Sequence, residues 1–411
     1  MVEDTRQVQP GRTTMLARAV PPTKYGRVGL LLSCGTMLAV FLPGCLFCVG
    51  LEVLATVVTR PALAVFCAIC AVLFALPHFL VILWLDRNER EPVYLIFTAL
   101  FWGGVMATGA SGLLNTINGI FFQSMATDTS VANQMTASLS APPVEEITKG
   151  LALLFIYLFF TKELDSILDG IVYGALVGLG FAVFENYTYY FNAGAAESNS
   201  VASFASASLL VYVRGIVTGI GTHACFTAMT GAGFGAFRVM RQGALRWFMP
   251  VIGLTLAIFS HFAWNTFTGL FVFAPENLGV TMFVSLPLAV VVLQMPFLLL
   301  VFTTAGLALR HERKIIEKYL HTERKSIVHP SEIEHLVPYR RKLYFHFQLL
   351  LALDMRGFFH HRRRQKLLIK LAIERWHMDT EDQLGDTDAA HLHAVRITAL
   401  RRQLLATPLN A

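Results

Sequence analysis

Charged residues are scarce in this chain. Asp, Glu, Lys and Arg make up 15% of its 411 residues, whereas hydrophobic residues make up 55%. Soluble globular domains carry about 25% charged residues, so this composition excludes a water-soluble enzyme or binding module. The mean hydropathy of +0.56 and the long apolar runs instead predict an all-α, polytopic membrane helical bundle.

Eight apolar runs predict about eight transmembrane helices, because a helix needs about 20 apolar residues to cross the hydrocarbon core. They lie near Leu30–Gly50, Ala62–Leu85, Val93–Phe122, Val144–Phe160, Ile167–Phe191, Ser208–Phe237, Phe248–Phe273 and Val280–Leu309. An even number of spans places both termini on the same side of the membrane. The chain is therefore divided into a basic leader (1–27), a membrane domain (28–309) and a helical cytosolic tail (310–411).

Positive charge is unevenly distributed between the predicted loops. It is concentrated in the tail, in the leader (Arg6, Arg12, Arg18, Lys24, Arg27) and in the loop after the sixth span (Arg238, Arg241, Arg246). The opposite loops, near 51–61, 123–143, 192–207 and 274–279, contain a single basic residue, Arg60. Basic loops stay in the cytoplasm. We therefore expect a multi-pass plasma-membrane protein with both termini cytoplasmic.

Cysteine is also rare, with six residues in the chain. Cys45-x-x-Cys48 and Cys67-x-x-Cys70 fall near the outer ends of two adjacent spans. This spacing indicates zinc in soluble proteins, but inside helices cysteine is a small apolar residue that packs well. We favour packing for all four, with a disulfide at the outer rim as the alternative.

The basic tail has a membrane surface as its predicted partner. Most of the net charge of +6 lies in the tail and the leader, and the cytoplasmic leaflet is anionic. Two structures for the tail remain open: a basic amphipathic helix on the leaflet, and a small helical domain packed on itself. The chain contains no groove-reading motif, so we expect no nucleic-acid partner.

Histidine and carboxylate are rare inside the predicted spans, and each is costly there. Of thirteen histidines, only His78, His223 and His261 lie in spans, and the carboxylates well inside spans are Glu145, Glu146 and Glu185. A charged side chain at the centre of a spanning helix costs about 2.5–3.5 kcal/mol on insertion scales, and such residues are usually functional.

Most of these polar residues are predicted at one depth. With a rise of 1.5 Å per residue, they fall in the middle-to-outer half of the bilayer on four different spans. The set consists of Glu145, Glu146, Glu185, His223 and His261, with Asn265 one turn beyond His261. His78 lies in the inner half of its span and is expected to make a hydrogen bond between helices.

Each member of the set has an ordinary structural explanation when it is taken alone. Pro142 and Pro143 mark a helix start, where Glu satisfies free amide groups. Glu185 could bond Tyr189 one turn away, and a single histidine could join two helices. Together they are better explained as a site, because four spans would otherwise carry unrelated costly groups at the same depth.

Hydrolysis by an activated water is the chemistry that suits these residue types. A buried carboxylate can take a proton from water near neutral pH, and His and Asn donors can stabilise an oxyanion. The sequence contains neither G-x-S-x-G nor H-E-x-x-H. Zinc held by carboxylate and imidazole stays open, although no close ligand spacing indicates it.

Four stretches resemble the PrsW family of intramembrane proteases, within the superfamily of CAAX prenyl proteases and bacteriocin-processing enzymes. They are APPVEEITKG, LDGIVYGALVGLGFAVFENYTYY, HACFTAMTG and HFAWN, in that order between about 140 and 265. The resemblance implies that Glu145 and Glu146 are catalytic carboxylates with Lys149 supporting them. It also implies roles for Glu185 with Tyr189, for His223, and for His261 and Asn265 as oxyanion binders. A metal, if zinc is used, would be bound by Glu146, Glu185, His223 and His261.

The resemblance also implies a substrate and a face of the membrane. PrsW-like proteases make the first, extracytoplasmic cut in an anti-sigma factor, so we expect a single-span membrane protein as substrate. The alternative is a proton- or cation-coupled transporter that uses the buried Glu and His residues as a relay. No internal repeat of the kind common in transporters is seen in the sequence. A non-catalytic scaffold would leave the polar residues unexplained.

Overall fold

The structure, a computed structural model, is helical throughout the part that it describes. It describes residues 24–161, 163–219, 222–240, 243–271, 276–336, 344–345, 347–348, 351, 354–384 and 387–407. Most of the predicted basic leader, including Arg6, Arg12 and Arg18, lies outside these residues, as does Arg241. The predicted all-α class is confirmed for the described chain, which contains no strand there.

Within the described residues, nine helices that we number in chain order precede the last long apolar helix. They are α1 (Lys24–Thr59), α2 (Pro61–Leu85), α3 (Val93–Met125), α4 (Thr129–Met135), α5 (Ala141–Phe159), α6 (Ile167–Ala195), α7 (Ser200–Val211), α8 (Thr222–Val239) and α9 (Leu245–Phe267). A last long helix, α10 (Leu278–His321), leaves the membrane domain and continues into the tail.

Seven helical segments among the described residues are long and apolar enough to cross a bilayer, which confirms a polytopic bundle. The first of these is Phe41–Thr59, so the apolar part of α1 extends further along the chain than the predicted Leu30–Gly50. Helix α5 is 19 residues long but is not among the seven because it carries Glu145, Glu146 and Lys149. The count of eight spans therefore stays a prediction.

The sixth predicted span is broken in the middle. Helix α7 is followed by a wide π-helical turn, Tyr212–Val217, and the next regular helix begins only at Thr222. Non-helical backbone at membrane depth is tolerated where it lines a cavity or is buried in protein. The four-residue spacing of Gly215 and Gly219 is typical of helix packing, but both glycines lie at this break. Any Cβ at Gly219 would collide with the carbonyl oxygen of Arg214.

Helices α6 and α8 form the centre of the bundle because glycines let their backbones touch. A Cβ at Gly170 would collide with the carbonyl oxygen of Gly231, and one at Gly178 would collide with that of His223. Small residues at helix interfaces allow this close approach. Helix α6 begins at a capping box in which Ser166 and Asp169 satisfy each other's backbone amides. Because the backbones of α6 and α8 touch at Gly178, His223 in the first turn of α8 is held directly against α6.

The cysteines of the first span and those of the second pack in different places: Cys45 belongs to one cluster, and Cys67 and Cys70 to another. Cys45 lies beside Met106 of α3, whereas Cys67 packs against Tyr187 and Tyr190 of α6. All cysteines in the described part of the chain that carry a described side chain are free thiols. This arrangement gives no support to a zinc site or a disulfide formed by these cysteines.

The tail packs on the C-terminal part of α10. Its helices are α11 (Pro330–Leu336), α12 (Met355–Leu384) and α13 (Thr387–Leu405). Ile316 and Leu320 of α10 share an apolar core with Leu368, Leu371 and Leu404. The described part of the tail therefore has its own core, as in the second of the two structures that the sequence left open.

Candidate active site

Glu145, Glu146 and Lys149 occupy the first turns of α5 and contact one another. The Lys149 ammonium donates to Oε2 of Glu145 at 3.3 Å and to Oε1 of Glu146 at 2.8 Å. Glu146 and Lys149 are fully buried, and Glu145 is 6% exposed. Lys149 Nζ also lies 3.7 Å from the ring centroid of Phe181. Buried charges survive only when they are paired in this way.

His261 of α9 lies against both carboxylates. Its Nδ1 is 3.1 Å from Oε1 of Glu146, and its Nε2 is 4.0 Å from Oε2 of Glu145. In the neutral ring, the nitrogen that bonds a carboxylate carries the proton. Nδ1–H of His261 therefore donates to Glu146, and the lone pair of Nε2 faces Glu145. The remaining oxygen of Glu146 accepts a hydrogen bond from Thr227 at 3.0 Å, so Glu146 is fully engaged.

His223 of α8 joins Lys149 to Glu185 of α6. Lys149 Nζ lies 3.0 Å from Nδ1 of His223. Because an ammonium group only donates, Nδ1 is the acceptor, and Nε2 of the neutral ring carries the proton. Nε2–H then donates to Oε2 of Glu185 at 2.7 Å. The rings of His223 and His261 meet edge to face, with centroids 5.1 Å apart.

Arg214, on the π-helical turn after α7, is a site residue that the sequence analysis missed. Its Nη2 donates to Oε2 of Glu185 at 2.6 Å, and its Nε donates to Oδ1 of Asn186 at 2.8 Å. Our census of costly residues counted only histidines and carboxylates. A count that included Lys and Arg would have found Arg214, because a guanidinium inside a span is as costly as a carboxylate.

The structure does not bring every predicted residue into this cluster. The side chain of Asn265 donates to the carbonyl oxygen of Ala137 at 2.8 Å, which ties α9 to the turn before α5. Tyr189 is 47% exposed, and its ring lies under the guanidinium of Arg214, with 4.0 Å between Cζ and the ring centroid. Nδ1 of His78 bonds the carbonyl oxygen of Phe74 in its own helix.

The donors fit a metal ion, but not with the ligand set that we predicted. Ligand atoms of Glu145, His223 and His261 all lie within 4.8 Å of one another, which is the His₂Glu set of many catalytic zinc sites. Glu146 and Glu185 instead bond the far ring nitrogens of His261 and His223. Ligating histidines normally have such carboxylate partners. Glu146 and Glu185 are therefore placed to orient the ligands.

Comparison with known proteins agrees with the motifs. The model of a family described as "PrsW family intramembrane metalloprotease" matches residues 91–301, just over half of the chain. The match includes every residue of the buried cluster, and the resemblance predicted from the four motifs is confirmed. No curated protein and no solved structure matches the chain.

Proposed function

Because the chain belongs to the PrsW family of intramembrane metalloproteases, we propose that it is an endopeptidase that cuts a membrane-anchored protein near the extracytoplasmic face. The observation that carries the proposal is the gap of 4.0 Å between Oε2 of Glu145 and Nε2 of His261. This gap is too long for a direct hydrogen bond, and a water can bond to both atoms there.

Glu145 is the carboxylate that we assign to proton transfer. Both oxygens of Glu146 are engaged, with Lys149 and His261 on one and Thr227 on the other. Glu145 is closer to solvent and holds Lys149 by a longer contact of 3.3 Å. Water held between Glu145 and His261 gives its proton to Glu145 while its oxygen attacks the scissile carbonyl carbon.

The oxyanion that forms needs a donor, and Lys149 is the nearest one. At rest its ammonium group bonds Glu145, Glu146 and His223. The bond to Glu145 weakens once that carboxylate takes the proton of the water, which frees a donor for the oxyanion. The Asn265 amide donates to Ala137, away from the cluster. We therefore assign oxyanion stabilisation to Lys149 and positioning roles to His223 and Asn265. Glu145 then returns the proton to the leaving amine nitrogen as the C–N bond breaks.

Three residues of the cluster would hold a zinc ion. Glu145, Nδ1 of His223 and Nε2 of His261 would be its ligands, and Lys149 would have to leave Nδ1 of His223. A bound zinc would supply the Lewis acid that makes a water acidic near neutral pH. Glu146 and Glu185 would keep the two imidazole rings oriented through their other nitrogens.

The depth of the cluster supports a cut near the extracytoplasmic face. Under the predicted topology α5 begins at the outer side, and Glu145 follows Ala141 by one turn. Glu185 lies ten residues before the outer end of α6 at Ala195, or about 15 Å. A single-span protein such as an anti-sigma factor is the substrate class that we propose. The plasma membrane and cytoplasmic termini are parts of the same proposal.

The tail is proposed to contact the anionic inner leaflet as well as itself. Arg356, Arg362 and Arg363 are exposed on α12, and each basic residue near an anionic surface contributes about 1 kcal/mol of attraction. Crosslinking from Arg362→Cys to anionic lipid in native membranes measures this contact, and Glu276→Cys, exposed in the predicted outer loop, is the control. Equal crosslinking from both positions would contradict it.

Membrane proteomics tests the proposed activity in cells. Cells that carry Glu146→Gln should accumulate an uncut single-span protein that is shortened in cells with the unaltered chain. Glu276→Gln, in an exposed outer loop, is the matched control and should leave processing intact. Equal processing with Glu146→Gln and Glu276→Gln would contradict the proposal. Ion-driven flux into proteoliposomes, with no cleavage of any membrane protein, would favour the transporter instead.

A further inference from the structure

Arg214 contacts the cluster through Glu185, but it belongs to none of the four stretches that resemble the PrsW family. We propose that Arg214 is a positioning residue that fixes Glu185 against His223 and thereby selects the tautomer of the His223 ring. The inference rests on the proposed function for its kinetic test, and on geometry alone for its spectroscopic test. Arg214 does not contact the gap between Glu145 and His261, so it acts through Glu185.

The guanidinium is held from three sides by neighbouring turns of α6. Nη2 donates to Glu185, Nε donates to Asn186, and the ring of Tyr189 lies beneath the plane at 4.0 Å. Planar, forked donors make Arg suited to such a pocket, where Lys would offer a single point charge. A side chain held by two hydrogen bonds and a stacking contact has one orientation. Glu185 is therefore fixed by it.

Arg214 and His223 donate to the same atom. Oε2 of Glu185 accepts from Nη2 of Arg214 at 2.6 Å and from Nε2 of His223 at 2.7 Å. The bond from His223 leaves its Nδ1 as an acceptor toward Lys149. Arg214 therefore helps to select the tautomer of His223, because it holds in one position the carboxylate oxygen to which the ring donates.

The break between α7 and α8 explains how an arginine reaches this position. Arg214 lies on the wide turn Tyr212–Val217, and Gly219 packs against its carbonyl oxygen. The turn also forms one wall of a cavity that His78, Asn186 and His223 line with it. An unbroken helix would carry the chain from α7 to α8 without this turn. The break thus places Arg214 and His223 on the same carboxylate.

The experiment compares three variants of the full-length protein in lipid nanodiscs. Arg214→Gln removes the charge, and Arg214→Lys keeps the charge without the fork. Arg60→Gln is the matched control, because Arg60 bonds Gly194, Glu197 and Ser203 at the outer rim, away from the cluster. The first readout is the ¹⁵N spectrum of His223 at one fixed, neutral pH, which reports which ring nitrogen carries the proton. The signal is assigned by its loss in His223→Gln.

In the unaltered protein we expect the proton on Nε2, the nitrogen that lies 2.7 Å from Glu185. Arg214→Gln should show a mixture of the two tautomers, because Glu185 is no longer held in place. Arg214→Lys should lie near the unaltered protein, and Arg60→Gln should match it. The same single tautomer in the unaltered protein and in Arg214→Gln would overturn the proposal whether or not the chain is a peptidase.

The second readout is cleavage of the single-span substrate found by membrane proteomics. Loss of a partner that orients a ligating histidine typically costs about 10- to 100-fold in activity. We expect such a loss in kcat for Arg214→Gln, with KM little changed and partial rescue by Arg214→Lys. A loss in Arg214→Gln no larger than that in Arg60→Gln would overturn the positioning role. No cleavage by the unaltered protein would instead contradict the proposed function.

Discussion

Oε1 of Glu146 lies 3.1 Å from Nδ1 of His261 and thereby turns the other ring nitrogen toward Glu145. The two adjacent glutamates of α5 therefore have different tasks. Glu146 orients an imidazole and neutralises Lys149 from a fully buried position. Glu145 faces the gap where a water can bind. The sequence placed both glutamates in one motif and did not distinguish their roles.

Glu146→Gln is expected to destabilise the protein more than Glu145→Gln. Glu146 makes the shorter contact to the fully buried Lys149, at 2.8 Å against 3.3 Å for Glu145. Removal of one partner of a buried ion pair costs about 3–5 kcal/mol. Thermal unfolding of both variants in detergent measures the difference. Equal losses of stability would show that the two carboxylates share Lys149 evenly.

Gly178→Ala is expected to disrupt the site without changing any polar group. A Cβ at Gly178 would collide with the carbonyl oxygen of His223, so α8 must move away from α6. Forced overpacking costs about 1–3 kcal/mol, and a displaced His223 should lower cleavage. Gly112→Ala in α3 is the control, because nothing lies within 4 Å of a Cβ there. Equal activity of the two variants would contradict the close packing.

The stability of the contact between the tail and the membrane helices at His377 is expected to fall as pH rises. His377 of α12 contacts Glu89 at 3.5 Å and Asp165 at 3.6 Å. Burial opposes the charged ring, but the hydrogen bond to Glu89 and the nearby carboxylates raise the pKa of His377 from 6.5 to about 9. A raised pKa means that the folded state binds the proton more tightly. The stabilisation is therefore complete below about pH 6.5 and is lost as pH rises through about 9.

Unfolding of His377→Gln against pH isolates this contribution, which is on the order of 3 kcal/mol. Burial also raises the pKa of Asp86 from 3.8 to about 7. Its ionisation therefore lowers the free energy of unfolding as pH rises, but this loss is largely complete by about pH 7 to 8. The difference between the unaltered chain and His377→Gln should thus shrink between pH 7 and 9. A difference that stays constant across this range would contradict the contact.

We expect the purified protein to bind zinc, and we expect this binding to require His261. His261→Ala removes one of the three clustered ligands, whereas His78→Ala removes a histidine that bonds its own helix. Metal analysis of the purified full-length protein, prepared with zinc, should show a loss of zinc only for His261→Ala. Equal zinc contents in both variants would place the metal elsewhere or reduce it to surface binding.

The sequence predicted the helices and the main cluster because both depend on local signals. Apolar length marks a span, and a carboxylate or imidazole inside it is visible by its cost. Residue counts give depth along a helix but not the direction in which a side chain points. This is why Asn265, although it lies at the predicted depth, bonds Ala137 outside the cluster. It is also why Tyr189 stacks on Arg214, whereas the sequence indicated a bond to Glu185.

The break between α7 and α8 could not be predicted from its glycines. Four-residue spacing of small residues serves helix packing at Gly170 and Gly174, and the same spacing at Gly215 and Gly219 accompanies a broken helix. Which outcome occurs depends on contacts made by α6, far away in sequence. Arg214 was missed for a different reason, because only histidines and carboxylates were counted as costly residues. Its partners Glu185 and Asn186, about 30 residues earlier in the chain, became visible only in the structure.

Cleavage by the reconstituted full-length protein tests the central claim most directly. Proteoliposomes that contain the chain and a single-span substrate identified by membrane proteomics should release a fragment, and mass spectrometry should place the cut near the extracytoplasmic end of the span. Glu145→Gln should insert normally and release at least about 100-fold less fragment, as expected when a general base is lost. Release of the same fragment at the same rate by Glu145→Gln would contradict the account.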